Sequence, residues 1–191
     1  MLRLFVAVTL PEKTLEACAK ERGRVEAALG PLAKGVRFVR PEGLHFTLKF
    51  LGWTPEPTVP ALVAGLEEVA SRLPPFPLWL EGLEAFPSVR RPRVVFLEVG
   101  EGAEPMARLA ALVEEALAPL GFPAEQRGFT PHVTLARIRD PRFAAAIGES
   151  VGALAPRPVS SFEVTRVSLI RSELSNTGSR YTELAGCELR G

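Results

Sequence analysis

Residues Leu44–Gly52 read LHFTLKFLG, and residues Phe129–Arg137 read FTPHVTLAR. These two stretches hold the only histidines of the 191-residue chain, His45 and His132, and each is followed by an apolar residue, a threonine and a leucine. On an extended strand successive side chains point to opposite faces, so His45, Thr47 and Lys49 are expected on one face and Phe46, Leu48 and Phe50 on the other. His132 and Thr134 repeat the arrangement, with Val133 and Leu135 turned to the core. Threonine falls at a given position about one time in twenty from ordinary composition, so its place after both histidines has a chance of roughly one in four hundred. Recurrence of the unit 87 positions later points to a duplicated lobe.

Working outward, Leu2–Leu10 reads as a strand, and Pro11 suits the first turn of a helix that runs to about Leu29 and is stopped by Gly30 and Pro31. Val36–Val39 is a short strand, RPEG at Arg40–Gly43 a turn and His45–Leu51 a strand, after which a proline-rich loop leads to a helix over Val59–Arg72. The second half repeats this order with strands over Leu78–Phe86 and Val94–Val99, a helix over Ala103–Leu120, a loop and the strand at His132. A further helix is expected over Pro141–Ser150. Val159–Arg171 and Tyr181–Glu188 flank the turn-rich SELSNTGS and read as a long β-hairpin. Helices between some strands and hairpins between others give an α+β fold. The expectation is one two-lobed domain over 1–191, formed by internal duplication, with mostly antiparallel sheets lining a central cleft and helices outside.

Composition narrows the function. Hydrophobic residues make up 47% and charged residues 24% of the chain, and no apolar run approaches the ~18 residues of a membrane span. MLRLFVAVTLPE carries one arginine and runs into Pro11 and Glu12 rather than a small-residue cleavage site, so it reads as a first strand and not as a signal peptide. Cys18 and Cys187 are expected as reduced thiols in a cytoplasmic protein. A net charge of +1 excludes the global basic field of non-specific duplex binding, so any nucleic-acid contact is local. The 19 arginines against four lysines suit bidentate phosphate contacts, although a G- and C-rich genome produces the same bias. Scarce Asn, Gln, Met and Cys hint at a heat-adapted source.

Two imidazoles and two hydroxyls converging on a cleft suit phosphoester chemistry without metal. One neutral imidazole can take a proton from the attacking oxygen while a second, protonated one gives a proton to the leaving oxygen. The threonine hydroxyls can donate to the non-bridging phosphate oxygens. Metal-assisted hydrolysis needs clustered oxygen ligands or several histidines. The chain has a single aspartate, Asp140, and no His-x-His, His-Glu-x-x-His or Cys-x-x-Cys, so neither a metal nor another cofactor is expected. A Walker loop is also absent from the sequence.

The segments RLFVAV, RPEGLHFTLKFLG, FTPHVTLARI and SLIRSELSNTGSRYTEL resemble, in order and over nearly the whole chain, the two-histidine phosphoesterases. Within them the chain is similar to the bacterial and archaeal RNA 2′,3′-cyclic phosphodiesterases, historically called 2′-5′ RNA ligases. The resemblance implies hydrolysis of a terminal 2′,3′-cyclic phosphate to a 2′-phosphate, with His45 as general acid, His132 as general base and Thr47 and Thr134 beside them. RNA or oligonucleotide ends are the implied partner, and a monomer is expected. The reverse reaction, 2′-5′ ligation without ATP, and a non-catalytic RNA-end module are the alternatives. The family places a phosphate-binding arginine five residues after the second histidine, where Arg137 stands. Strand parity sets Arg137 on the face opposite His132, so it reaches the cleft only through a bulge or the end of the strand. Lys49 has the right parity and is a second candidate phosphate contact. Phe5, Trp53, Phe129 and Tyr181 are candidates for stacking on a base.

Overall fold

The alternating segments pair into one sheet. In the computed structural model, which describes residues 1–126, 128–175 and 178–191, nine strands form: Leu2–Thr9 (β1), Val36–Phe38 (β2), His45–Thr54 (β3), Phe76–Phe86 (β4), Val94–Val99 (β5), His132–Ile138 (β6), Ser160–Val164 (β7), Arg166–Ser175 (β8) and Gly178–Glu188 (β9). The helices are Glu12–Leu29 (α1), Val59–Ser71 (α2), Ala103–Leu117 (α3) and Ala144–Gly152 (α4). Strand order is β7-β4-β5-β6-β3-β1-β8-β9, with β2 paired to β6, and every pairing is antiparallel. The α+β expectation holds, but the two lobes share a single sheet. Its halves meet where β3 and β6 pair through Phe46 and Val133. Each half contains the same path, a strand, a helix and then the histidine strand beside the first: β1-α1-β3 on one side and β5-α3-β6 on the other.

The segment expected as one strand over Val159–Arg171 is two. β7 borders β4 and β8 borders β1, toward opposite ends of the strand order, yet only Thr165 separates them. Two Cα steps span at most ~7–8 Å, so the sheet has to curl until its ends approach. β8 and β9 form the expected hairpin, with pairing out to Ser175 and Gly178; Asn176 and Thr177, the middle of its turn, lie outside the described residues.

The core lies between one sheet face and the helices. Leu4, Val6, Val8, Phe46, Leu48, Leu97, Val133 and Leu135 from the strands meet Val25, Leu66, Leu109, Val113 and Ile147 from the helices, all buried. This spacing on α1–α4 leaves the other sheet face open. Among the described residues no helix is long and apolar enough to cross a membrane.

Bulges change which side chains reach the open face. Val6 faces Lys49 and Ala7 faces Thr47, leaving Leu48 as an extra residue in β3. Leu48 and Lys49 consequently both turn inward, and Phe50 swings to the open face, where it is 60% exposed. The parity reading of Lys49 as a phosphate contact is therefore wrong, as is the placement of Phe50 in the core. Lys49 is 2% exposed, and its Nζ donates to the Glu114 carboxylate on α3 and to the Pro123 carbonyl in the loop that follows. It tethers the His45 strand to the segment leading toward His132. Lys49→Ala, which strands a largely buried Glu114, should cost about 3–5 kcal/mol, whereas replacing both partners by Met and Leu should be near neutral. Urea unfolding at pH 7 measures both; an unchanged stability with a raised KM would return Lys49 to the substrate.

Candidate functional site

The open face of the curled sheet forms a cleft of ≈ 1390 Å³ lined by His45, Thr47, His132, Thr134 and Arg137. Antiparallel pairing through Phe46 and Val133 sets the histidine of each strand across from the threonine of the other, His45 beside Thr134 and Thr47 beside His132. One peptide pair thus brings together four side chains drawn from positions far apart in sequence. Lys49, the fifth polar residue expected here, is on the core side.

Both imidazoles are oriented by the same local device. His45 Nδ1 lies 2.9 Å from the Gly43 carbonyl, and His132 Nδ1 lies 2.8 Å from the Thr130 carbonyl, each two residues earlier. A carbonyl only accepts, so Nδ1 carries the proton in each ring, and in the neutral form Nε2 holds a lone pair. His45 Nε2 is 3.0 Å from Thr47 Oγ1, which donates to it. The backbone at the start of each strand therefore fixes the tautomer that leaves Nε2 available for proton transfer.

Aromatic rings enclose the pair. Phe5 from β1 and Tyr181 from β9 lie with centroids 4.8 and 5.2 Å from that of His45. Phe86 and Phe96 lie 5.3 and 5.2 Å from His132. Burial disfavours the imidazolium and lowers the pKa of His45 to about 4, with the positive Arg137 and His132 adding to the effect against the Gly43 hydrogen bond. His132 is lowered by the same causes, burial first and Arg137 also, against the Thr130 carbonyl. Of the stacking candidates, Phe5 and Tyr181 stand against a histidine, while Phe129 packs against the core.

Arg137 reaches the cleft because β6 bulges where β3 does. Val95 faces Ala136 and Phe96 faces Thr134, so Leu135 is the extra residue, Leu135 and Ala136 both turn inward, and Arg137 returns to the His132 face. Position five after the histidine is thus Phe50 in one strand and Arg137 in the other. Arg37 of β2 is the direct cross-strand neighbour of Arg137, and Arg139 also lines the cleft. Two like charges opposite one another are unfavourable unless an anion lies between them. Neither has a carboxylate partner among the described residues. Arg37 was missed from sequence; its signal was the alternation in VRFVR, Val36–Arg40, which sets Arg37 apart from the apolar Val36 and Phe38. Among the described residues no group of three or more His, Cys, Asp or Glu could hold a metal ion.

Known proteins share this arrangement of the chain. The model of the 2′-5′ RNA ligase superfamily matches residues 14–176. A Methanothermobacter thermautotrophicus protein named RNA 2′,3′-cyclic phosphodiesterase is 34% identical over 183 residues, covering 96% of each chain. A protein of that name from Thermus thermophilus is 36% identical over 201 residues, covering 100% of this chain and 91% of its own. Among solved structures, one from Thermus thermophilus superimposes with a TM-score of 0.81 at 32% identity, covering 100% of this chain and 99% of its own. LigT of E. coli complexed with 3′-AMP superimposes with a TM-score of 0.75 at 28% identity, again covering 100% and 99%. With its paired histidine strands and a match running through both of them, the chain belongs to the 2′-5′ RNA ligase superfamily.

Proposed function

We infer that the protein hydrolyses RNA 2′,3′-cyclic phosphate ends to 2′-phosphates, the activity carried in its relatives' names. The observation that carries the reading is the paired set of Nδ1-anchored imidazoles in one cleft, each beside a threonine hydroxyl and close to Arg137. His132 Nε2 takes a proton from water as the water oxygen bonds to phosphorus. The bond from phosphorus to O3′ breaks, and the electron pair left on O3′ accepts a proton from His45 Nε2. Thr47 and Thr134 donate to the non-bridging oxygens as their charge grows, and Arg137 with Arg37 offsets the phosphate's negative charge. Product is the 2′-phosphate with a free 3′-hydroxyl, and no covalent enzyme intermediate is needed.

The paired β3 and β6 of one chain supply both imidazoles and both threonine hydroxyls, which suits a monomer. Buried free thiols at Cys18 and Cys187 suit a reducing compartment, the cytoplasm. The deciding experiment offers a short RNA with a 2′,3′-cyclic phosphate to the protein in EDTA. Turnover to the 2′-phosphate is expected to proceed undiminished; loss in EDTA with recovery on adding zinc or magnesium would overturn the two-histidine reading.

A further inference from the structure

At ≈ 1390 Å³ the cleft exceeds the ≈ 300–1,000 Å³ of sites for single small molecules. Away from the histidines its floor runs on over β3, β1, β8 and β9, past Phe50, Arg3, Ser172 and Arg180. Two large aromatic side chains stand uncovered on this face of the sheet. Phe50 is 60% and Trp53 66% exposed. Phe50 is not there by simple alternation from His45, and for Trp53 a second bulge restores the parity that the first reverses. The first bulge brings Phe50 out. A second follows, where Leu4 faces Gly52 and Phe5 faces Phe50, so that Leu51 is extra. Gly52 takes φ +70 there, a conformation glycine adopts without strain, and Trp53 emerges opposite Arg3. Cross-strand partners share a face, and Arg3 lines the cleft, so Trp53 stands on the same sheet face beside it.

The rings step outward from the chemistry. Phe5 lies 4.8 Å from His45 and 6.2 Å from Phe50, centroid to centroid. Trp53 follows three residues on, and Thr47 to Trp53 covers roughly 20 Å at the rise of a strand. Arg3 donates to Ser172 Oγ at 3.3 Å and has no carboxylate partner among the described residues. Exposed aromatic faces for bases beside an unneutralised guanidinium for phosphates are the means by which proteins hold single-stranded nucleic acid. In a cyclic end both O2′ and O3′ are bound to the reacting phosphorus, so the rest of the strand leaves only through O5′.

We propose that Phe50 and Trp53 are a stacking platform for the nucleotides on the 5′ side of the reacting end, with Arg3 against their backbone phosphate. The site then discriminates RNA strands from cyclic mononucleotides. This rests on the hydrolytic reading above. The test compares kcat/KM for a cyclic mononucleotide and for a trinucleotide ending in the same cyclic phosphate. The wild type should prefer the trinucleotide by about 10-fold or more, and Trp53→Ala should erase about 5- to 150-fold of any preference, the range for one stacked base. The mononucleotide rate of Trp53→Ala should stay within about 2-fold of wild type, since Trp53 lies beyond the reach of a single nucleotide. Phe50→Ala should lower the same preference. A trinucleotide ending in a 2′-phosphate, which cannot be cleaved, should quench tryptophan fluorescence in the wild type and not in Trp53→Ala. Equal efficiency on the two substrates, or a preference and a quench that survive Trp53→Ala, would overturn the platform alone. Failure to hydrolyse either substrate would overturn the hydrolytic reading itself.

Discussion

His45→Ala and His132→Ala are each expected to lower kcat/KM on an RNA 2′,3′-cyclic phosphate by about 100- to 10,000-fold, the contribution of a positioned general acid or base. The two losses should separate by leaving group. A cyclic phosphate analogue whose leaving oxygen needs no proton spares the acid, so it should restore much of the rate to His45→Ala and none to His132→Ala. Rescue of His132→Ala in its place would reverse the two roles, and wild-type rates in both variants would remove the mechanism. The pH profile gives a second reading of the same pair. In the free enzyme burial holds His45 at about 4 and His132 below its ordinary 6.5. The productive form needs one imidazole charged and the other neutral. Above both pKa values the acid has lost its proton and below both the base has gained one, so that form is populated most between them. The maximum of kcat/KM should therefore lie to the acid side of 6.5. A bound phosphate anion favours the imidazolium in both rings, so the profile of kcat should lie to the alkaline side of that of kcat/KM. A maximum of kcat/KM above pH 7 would mean that the aromatic enclosure does not govern these histidines.

Much of this site was legible because its elements obey local rules. The alternation through LHFTL and HVTL put histidine and threonine on one face, and the only two histidines of the chain had no other histidine to pair with. The helix over Glu12–Leu29 was legible from its proline start and glycine end, and the strand over Val94–Val99 from its length of apolar residues. What alternation could not reveal is where it breaks. Leu-Lys in β3 and Leu-Ala in β6 look like the next alternating pair, yet in each the extra residue of a bulge turns two neighbours inward. That single irregularity sent Lys49 to the core and Arg137 to the cleft, the reverse of what parity gives for both. A bulge is defined by the partner strand, and the partners, β1 and β5, lie tens of residues away. The curl of the sheet was hidden for the same reason: Thr165 reads as one residue of an extended run until the pairings of β7 with β4 and β8 with β1 show that the chain crosses from one border of the sheet to the strand next to the other border.

The threonines offer the other large effect. Thr47→Val and Thr134→Val keep the branched shape that suits a strand and remove only the hydroxyl. Each is expected to cost about 10- to 1,000-fold, by analogy with the removal of one donor to a developing oxyanion. The loss should fall mainly on kcat, because the charge on the non-bridging oxygens grows toward the transition state. The two sites are not equivalent at rest. Thr47 Oγ1 already donates to His45 Nε2 at 3.0 Å, so its hydroxyl must turn from the imidazole to the phosphate when substrate binds. Thr134 has no such partner among the described residues. Thr47→Val should accordingly also move the pH profile of kcat/KM, since the His45 Nε2 lone pair loses its donor and the imidazolium becomes easier to form; its free-enzyme pKa rises and the limb it governs moves to higher pH. Thr134→Val should lower the rate without moving that limb. Thr→Ser at either position, which returns the hydroxyl on a less constrained side chain, should recover most of the rate. If the valine variants retain wild-type kcat, the threonines serve only the strands, and stabilisation of the phosphate oxygens falls to Arg137 and Arg37.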